Sequence, residues 1–148
     1  SQSKGRDLWQ SPAMPLHMFA QAVVAGGAAV ALLGVVGPAS FDPLVGPAAL
    51  ALGAGVLGHA AIVASEIFTP HQTEDAEEAA ARIVRGRFRT PFWAGGVVVG
   101  ILAPLVVLAL SGVLTVGLAG PLAGLLALAG LLAFEYCWIT APQTISLA

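Results

Sequence analysis

The stretch PFWAGGVVVGILAPLVVLAL, Pro91–Leu110, runs for twenty residues without a charged side chain. A helix needs about 20 apolar residues to cross the hydrocarbon core of a bilayer. Only helices and closed barrels satisfy their backbone hydrogen bonds in lipid. Because the apolar residues here are continuous and do not alternate with polar ones, the stretch predicts a transmembrane helix and not a barrel strand.

The composition of the whole chain agrees with this prediction. Of its 148 residues, 57% are hydrophobic and 9% are charged, and the mean hydropathy is +0.88. Soluble domains carry about 25% charged residues, so the chain is predicted to be an integral membrane protein. The net charge of −2 is uninformative about nucleic acid, but the sequence has no basic, aromatic surface, so no nucleic-acid partner is expected.

Three further apolar runs complete a set of four predicted spans. The spans cover about 15–36, 43–68, 91–110 and 115–139. Turn-forming sequences separate the first two spans, a charged loop follows the second, and a tight hairpin joins the last two. We therefore predict an all-α membrane protein, with four transmembrane helices in an up-down bundle that forms a single membrane domain over residues 1–148.

The loop between the second and third spans predicts a short amphipathic helix over about 73–86. Acidic residues crowd its first turns and arginines its last turn, which complements the helix dipole. Thr73 is a typical N-cap and Gly86 a typical C-cap, and Glu78 stands four residues before Arg82 in the orientation that favours an ion pair. This helix either carries a site or is simply a solvated charged helix.

The basic residues predict the orientation of the bundle. All of them fall on the side that also holds both termini: Lys4, Arg6, Arg82, Arg85, Arg87 and Arg89. By the positive-inside rule this side is cytoplasmic. Aromatic residues at the same ends of the spans resemble an interfacial belt: Trp9, Phe88, Phe92, Trp93, Tyr136 and Trp138.

Glycines predict close packing of the helices, because small residues let transmembrane backbones approach each other. Two pairs have GxxxG spacing, Gly96 with Gly100 and Gly120 with Gly124. Further small surfaces are expected at Gly26, Gly27, Gly53, Gly55 and Gly58. The spacing alone does not name the partner helix of any of them.

The polar residues of the spans gather in the predicted cytoplasmic half. Six of them are candidates for a proton path: His59, Glu66, Glu135, His17, Gln21 and Tyr136. Ionisable groups inside membranes are costly and tend to mark function, and histidine changes charge near neutral pH. The alternatives are structural. His59 could bond a backbone carbonyl or Gln21, and His17 could be a surface or packing residue. The two glutamates could be interfacial residues that reach water or pair with Arg87 or Arg89.

The predicted depths keep the two histidines apart. At 1.5 Å per residue, His59 lies roughly 12 Å inside the end of its span, and His17 lies roughly 9 Å nearer the membrane surface. We therefore do not expect them to ligate one haem. Glu135 is expected about one turn from the end of its span. Cys137 is the single cysteine, so the chain cannot supply a cysteine-ligated iron–sulfur cluster or zinc site, and no catalytic residue, cofactor site or metal site is predicted.

Three stretches together resemble the NrfD-like proteins, the membrane subunits of polysulfide reductase and related quinone-linked oxidoreductases. They are LWQSPAMPLHMFAQAVVAGGA at Leu8–Ala28, the charged connection SEIFTPHQTEDAEEAAARIVRGRFRTPFWAGGVVVGILAP, and the ending FEYCWITAPQTISLA. Pro142 stands where that family usually has glycine. The resemblance spans nearly the whole chain, but family members have eight or more spans, and this chain matches their carboxyl-terminal four.

The resemblance implies a membrane subunit, or half of one, in a quinone-linked oxidoreductase complex of a bacterial inner membrane. Its implied partners are the other membrane half, an iron–sulfur protein subunit and lipid. Quinone and iron–sulfur clusters would belong to those partners, and no residue here corresponds to the family's quinone pocket. The chain, not catalytic on its own, would anchor the complex and conduct protons. A purely structural scaffold is the alternative, and a small transporter or channel is disfavoured because no polar stripe crosses the full bilayer.

Overall fold

The computed structural model describes residues 4–71, 73–112 and 116–145, and this part of the chain is mostly helical and has no strand. A 3₁₀ turn, Lys4–Gln10, precedes five helices. These are α1, Met14–Val36; α2, Asp42–Phe68; α3, Glu74–Val84; α4, Pro91–Ala109; and α5, Val116–Gln143. All except α3 are long and apolar enough to cross a membrane, which confirms the predicted all-α membrane class.

The first three predicted spans match α1, α2 and α4 to within one residue at each end. Residue 115, where the fourth span was predicted to begin, lies outside the described residues. The predicted end at 139 was wrong, because α5 continues to Gln143 through Pro142. Proline has no N–H to donate to the carbonyl four residues earlier. That carbonyl, on Trp138, instead accepts the indole N–H of Trp9 at 3.0 Å. The 3₁₀ turn, which contains Trp9, therefore stabilises the last turn of α5.

Helix α3 forms with the predicted N-cap and ion pair, but it ends at Val84 and its C-cap is Arg85, not Gly86 as predicted. The Thr73 hydroxyl accepts the backbone N–H of Ala76 at 3.2 Å, and Arg82 forms an ion pair with Glu78. Arg82 also donates to Thr144, beyond the end of α5. The apolar face of α3 is buried against the 3₁₀ turn and α5. We call the end of the bundle on which α3 lies the α3 end.

Helix α4 opens with a π-helical segment, Pro91–Leu102, and becomes α-helical over Ala103–Ala109. The π-helical hydrogen-bond pattern extends to Ala103, whose N–H bonds the carbonyl of Val98, five residues earlier. A Cβ placed on Gly100 would lie 2.7 Å from the Cα of Gly130 on α5. The backbones of α4 and α5 therefore touch where both residues lack side chains.

Glycines also hold α1 close to its two neighbours. A Cβ on Gly27 would lie 2.9 Å from the backbone N of Leu52 in α2, and one on Gly124 of α5 would lie 3.1 Å from the Cα of Ala28. The predicted close packing is confirmed at these positions. Gly26, in contrast, faces open space, so it does not belong to a helix contact.

Two apolar cores fill the bundle. The α3-end core is rich in aromatic and large residues: Leu8, Val63, Ala76, Ala79, Ile83, Phe88, Phe92, Phe134, Cys137, Trp138, Ala141 and Ile145. The far core contains only aliphatic residues: Val24, Ala28, Leu52, Val56, Ile101, Ala123 and Ala127. The predicted aromatic belt was therefore partly wrong. Trp93 and Tyr136 are exposed, but Phe88, Phe92 and Trp138 are buried because they fill the space between helices at the α3 end.

Candidate functional site

The outermost polar pair joins the 3₁₀ turn region to the end of α2. The Ser11 hydroxyl donates to Oε1 of Glu66 at 2.5 Å, and its oxygen accepts the N–H of Ala13 at 3.3 Å. Glu66 lies in the last turn of α2 and is half-buried. The partner of this carboxylate is a hydroxyl and not Arg87 or Arg89, the arginines considered from the sequence.

The second pair consists of the two histidines, which were predicted from the sequence to lie at different depths. Nε2 of His17 lies 3.0 Å from Nδ1 of His59. Both side chains are buried, with 2% and 4% of their surface exposed. The expected separation of His17 and His59 was therefore wrong, and the partner of His59 is neither a backbone carbonyl nor Gln21.

The error arose from treating the ends of the spans as level. His17 is three residues inside α1, whereas His59 is nine residues from the end of α2. Because the two residues meet, α2 projects beyond the first residue of α1 by six residues, or about 9 Å. The segment before α1 packs along this projection, which is why Ser11 reaches Glu66.

Aromatic rings enclose the histidine pair. The ring of Phe134 stands edge-on to both imidazoles, with centroids 5.1 Å from His17 and 4.9 Å from His59. Trp138 stacks on Phe134 and meets the His17 ring at 5.9 Å. These buried rings surround the pair with apolar surface, which strengthens the hydrogen bond between the imidazoles.

The third pair lies deepest in the bundle. Nε2 of Gln21 donates to Oε1 of Glu135 on α5. Gln21 follows His17 by one helical turn, and Glu135 lies eight residues, or about 12 Å, from the end of α5 at Gln143. The expectation that Glu135 lies about one turn from the end of its helix was wrong, because α5 is longer than predicted.

Tyr136 does not join these pairs. Its side chain is 54% exposed, and its ring lies against Phe88 with a centroid distance of 6.0 Å. The structure thus brings five of the six candidates into three hydrogen-bonded pairs and leaves Tyr136 on the outer surface. The remaining polar residue of α2 at this end, Ser65, donates to the carbonyl of Ile62 within its own helix.

The histidine pair has the chemistry of a proton relay. In a neutral imidazole one nitrogen carries a proton and the other a lone pair. If Nε2 of His17 donates to Nδ1 of His59, then Nδ1 of His17 is a lone pair and Nε2 of His59 carries a proton. A proton that binds the first outer nitrogen can therefore be matched by release from the second, after the shared proton has crossed the 3.0 Å hydrogen bond.

The same pair does not fit a haem. A haem iron stands between its two axial ligand nitrogens, whereas the nitrogens of His17 and His59 are in direct contact. Among residues 4–71, 73–112 and 116–145, no group of three or more histidine, cysteine, aspartate or glutamate side chains could hold a metal ion. Cys137 is buried, as expected of a packing residue.

Sequence reasoning missed three members of the site. Ser11 lies in the stretch Leu8–Ala28 but was not treated as a site residue, and Phe134 and Trp138 were not recognised as the enclosure of the histidines. The missing information was the relative register of α1 and α2. With Ser11 placed level with Glu66, the same register brings His17 to His59.

Comparison of the chain with protein-family models, with curated proteins and with solved structures gave no match.

Proposed function

We propose that this chain is a membrane subunit, or the carboxyl-terminal half of one, in a quinone-linked electron-transfer oxidoreductase complex. It anchors the complex in the inner membrane of a bacterium and conducts protons through its α3 end. The observation that carries the proton role is the series of three hydrogen-bonded pairs, Ser11–Glu66, His17–His59 and Gln21–Glu135. Each pair joins two different segments and lies deeper than the one before.

The placement of charge supports a cytoplasmic α3 end. Arg82, Arg85, Arg87 and Arg89 all lie in or directly after α3, and basic residues are retained on the cytoplasmic side of membranes. Protons would then be taken up from the cytoplasm. The chain holds no redox group of its own in this proposal, so quinone and the iron–sulfur clusters belong to the other membrane half and to an iron–sulfur protein subunit.

The redox part of the proposal rests on the resemblance to NrfD-like proteins and is tested by isolation of the native complex. We expect the chain, tagged and purified in a mild detergent, to carry with it an iron–sulfur protein with a paramagnetic reduced state and to support reduction or oxidation of a quinone. Purification of an assembly without iron–sulfur clusters and without quinone activity would leave the scaffold function as the explanation.

The proton part is tested in the same complex reconstituted into vesicles that contain a pH-sensitive dye. Glu135→Gln keeps the shape of the side chain and its bond to Gln21 but cannot take up a proton. We expect it to reduce proton movement per electron while uncoupled quinone turnover persists. Asp42→Asn, at the start of α2 on the opposite end of the bundle, is the matched control. Proton movement equal to wild type in Glu135→Gln would contradict this part.

A further inference from the structure

Glu135 places a carboxylate at the outer edge of the bundle, well inside the membrane. Its side chain is partly exposed. Leu132 and Ile139, one turn before and one turn after it on α5, are 73% and 47% exposed. Only Oε1 of Glu135 is bonded, to the amide of Gln21, and no second hydrogen bond to this carboxylate occurs among the described residues. Its second oxygen therefore faces the surroundings of the four helices.

The Glu135 side chain is directed away from the nearest water. In a helix every Cα–Cβ bond tilts toward the N-terminus, and α5 ends at the α3 end of the bundle. The side chain thus leans toward the middle of the membrane. There it is bonded by Gln21, which lies seven residues, or about 10 Å, inside α1. The carboxylate is therefore held away from the membrane surface.

An oxygen in this position needs a hydrogen-bond donor from outside the bundle. Lipid hydrocarbon offers none, and ionisable side chains inside membranes almost always face other protein or a water-filled cavity. Glu66 needs no such cover, because it lies in the last turn of α2 beside an open cavity. Glu135 therefore marks a surface that other protein covers in the membrane.

The surface beside Glu135 suits a helix. On the side of α1 next to α5, Ala22, Ala25 and Ala29 follow one another at intervals of about one helical turn, and all three are at least partly exposed. Small residues let a neighbouring helix backbone approach closely. On α5 the exposed Leu132 lies beside them. We call these four residues, together with Glu135, the α1–α5 face.

We infer that the α1–α5 face binds a transmembrane helix of a partner protein, and that this helix carries a donor side chain (basic, amide or hydroxyl) level with Glu135. A second copy of this chain does not fit, because a two-fold contact brings the same patch together on both sides. Two Glu135 carboxylates would then oppose each other without a donor. The inference needs only the membrane placement of the helices, so an assembly without redox groups would contradict the proposed function and leave this inference standing.

Photo-cross-linking in membranes of the host cell tests the face. The probe is p-benzoylphenylalanine in place of Leu132, whose side chain is 73% exposed. We expect it to form a cross-link to another protein. Mass spectrometry of the cross-linked peptide should identify a transmembrane segment that carries a donor side chain within about one helical turn of the cross-link, the distance from Leu132 to Glu135.

Four variants made together with the probe test the contact itself. Ala22→Leu fills the face, whereas Ala61→Leu makes the same change at an exposed position of α2, in the groove on the other side of α1. We expect Ala22→Leu to abolish the cross-link and Ala61→Leu to retain it. Glu135→Leu removes the acceptor and should also abolish it. Glu135→Gln should retain it, because the amide carbonyl still accepts a hydrogen bond.

The outcomes decide between a partner helix, a second copy and lipid. Cross-links only to lipid would overturn the inference, as would cross-links only between two differently tagged copies of this chain. A cross-link that is unchanged in Ala22→Leu would overturn it as well, since that residue is exposed and its replacement leaves the packing of the bundle intact. A cross-link to a donor-bearing helix that is lost in Ala22→Leu and Glu135→Leu, and kept in their two controls, supports it.

Discussion

The two ends of the bundle are built by opposite means. At the α3 end, aromatic rings and three polar pairs stand between the helices, and a cavity of about 280 Å³ opens beside Glu66. In the far core the side chains are aliphatic. Glycines let the helix backbones approach there, since a Cβ added to Gly27 or Gly55 would lie about 3 Å from the backbone of the neighbouring helix. Large side chains keep helices apart, whereas small ones let their backbones approach. The difference explains why polar side chains pair at the α3 end and why the far core holds only aliphatic ones.

The largest effect should follow a loss of volume in the far core. Leu52 of α2 is fully buried in the far core, so Leu52→Ala leaves a cavity there. We expect a loss of about 2–5 kcal/mol in the free energy of unfolding, measured by circular dichroism during titration of the micelle-bound chain with sodium dodecyl sulfate. Leu50→Ala, on the 78% exposed surface of the same helix, should change stability little. Equal losses in the two variants would show that the far core is loosely packed.

Adding a methyl group at a glycine contact between helices should lower the free energy of unfolding somewhat less. A Cβ on Gly27 would press against the backbone of Leu52, which cannot move without shifting α2. Gly27→Ala should therefore destabilise the bundle by about 1–3 kcal/mol. Gly26→Ala is the adjacent control, since its Cβ meets no neighbouring atom, and it should be neutral or slightly stabilising. Equal stability of the Gly27→Ala and Gly26→Ala variants would show that the backbones of α1 and α2 are not in contact at Gly27.

These contrasts also show how far the sequence could lead. Apolar runs, the Thr73 cap and the acidic-to-basic order of α3 predicted the helices, because span length and helix ends depend on local chemistry. The meeting of His17 with His59 was not predictable in the same way, since it depends on α2 projecting past α1. The segment before α1 lies along that projection, where Ser11 bonds Glu66 of α2. Register between helices is a property of the packed structure and not of any one segment.

The third prediction concerns the buried histidine pair. His17→Leu alone should destabilise the bundle by about 1–2 kcal/mol, because it leaves a buried nitrogen of His59 without a partner. The double variant with His59→Leu should recover part of this loss. The expected coupling energy is about 0.6 kcal/mol, the average for hydrogen bonds between membrane helices, and at most about 1.7 kcal/mol. A double-mutant cycle in the same unfolding assay measures it. Additive losses would mean that the imidazoles are not bonded to each other.

The smallest effect is expected where α3 is fastened to the bundle. Arg82 bonds Glu78 within α3 and the Thr144 hydroxyl beyond the end of α5. Arg82→Gln should cost about 1 kcal/mol or less, because the group is partly exposed and solvent screens its charge. The loss should be local, so we expect faster amide hydrogen exchange in α3 without a change in the far core. Arg85→Gln, an exposed arginine at the end of the same helix, is the control. Faster exchange throughout the bundle in Arg82→Gln would show that α3 stabilises all of it, and the two ends would then not be independent.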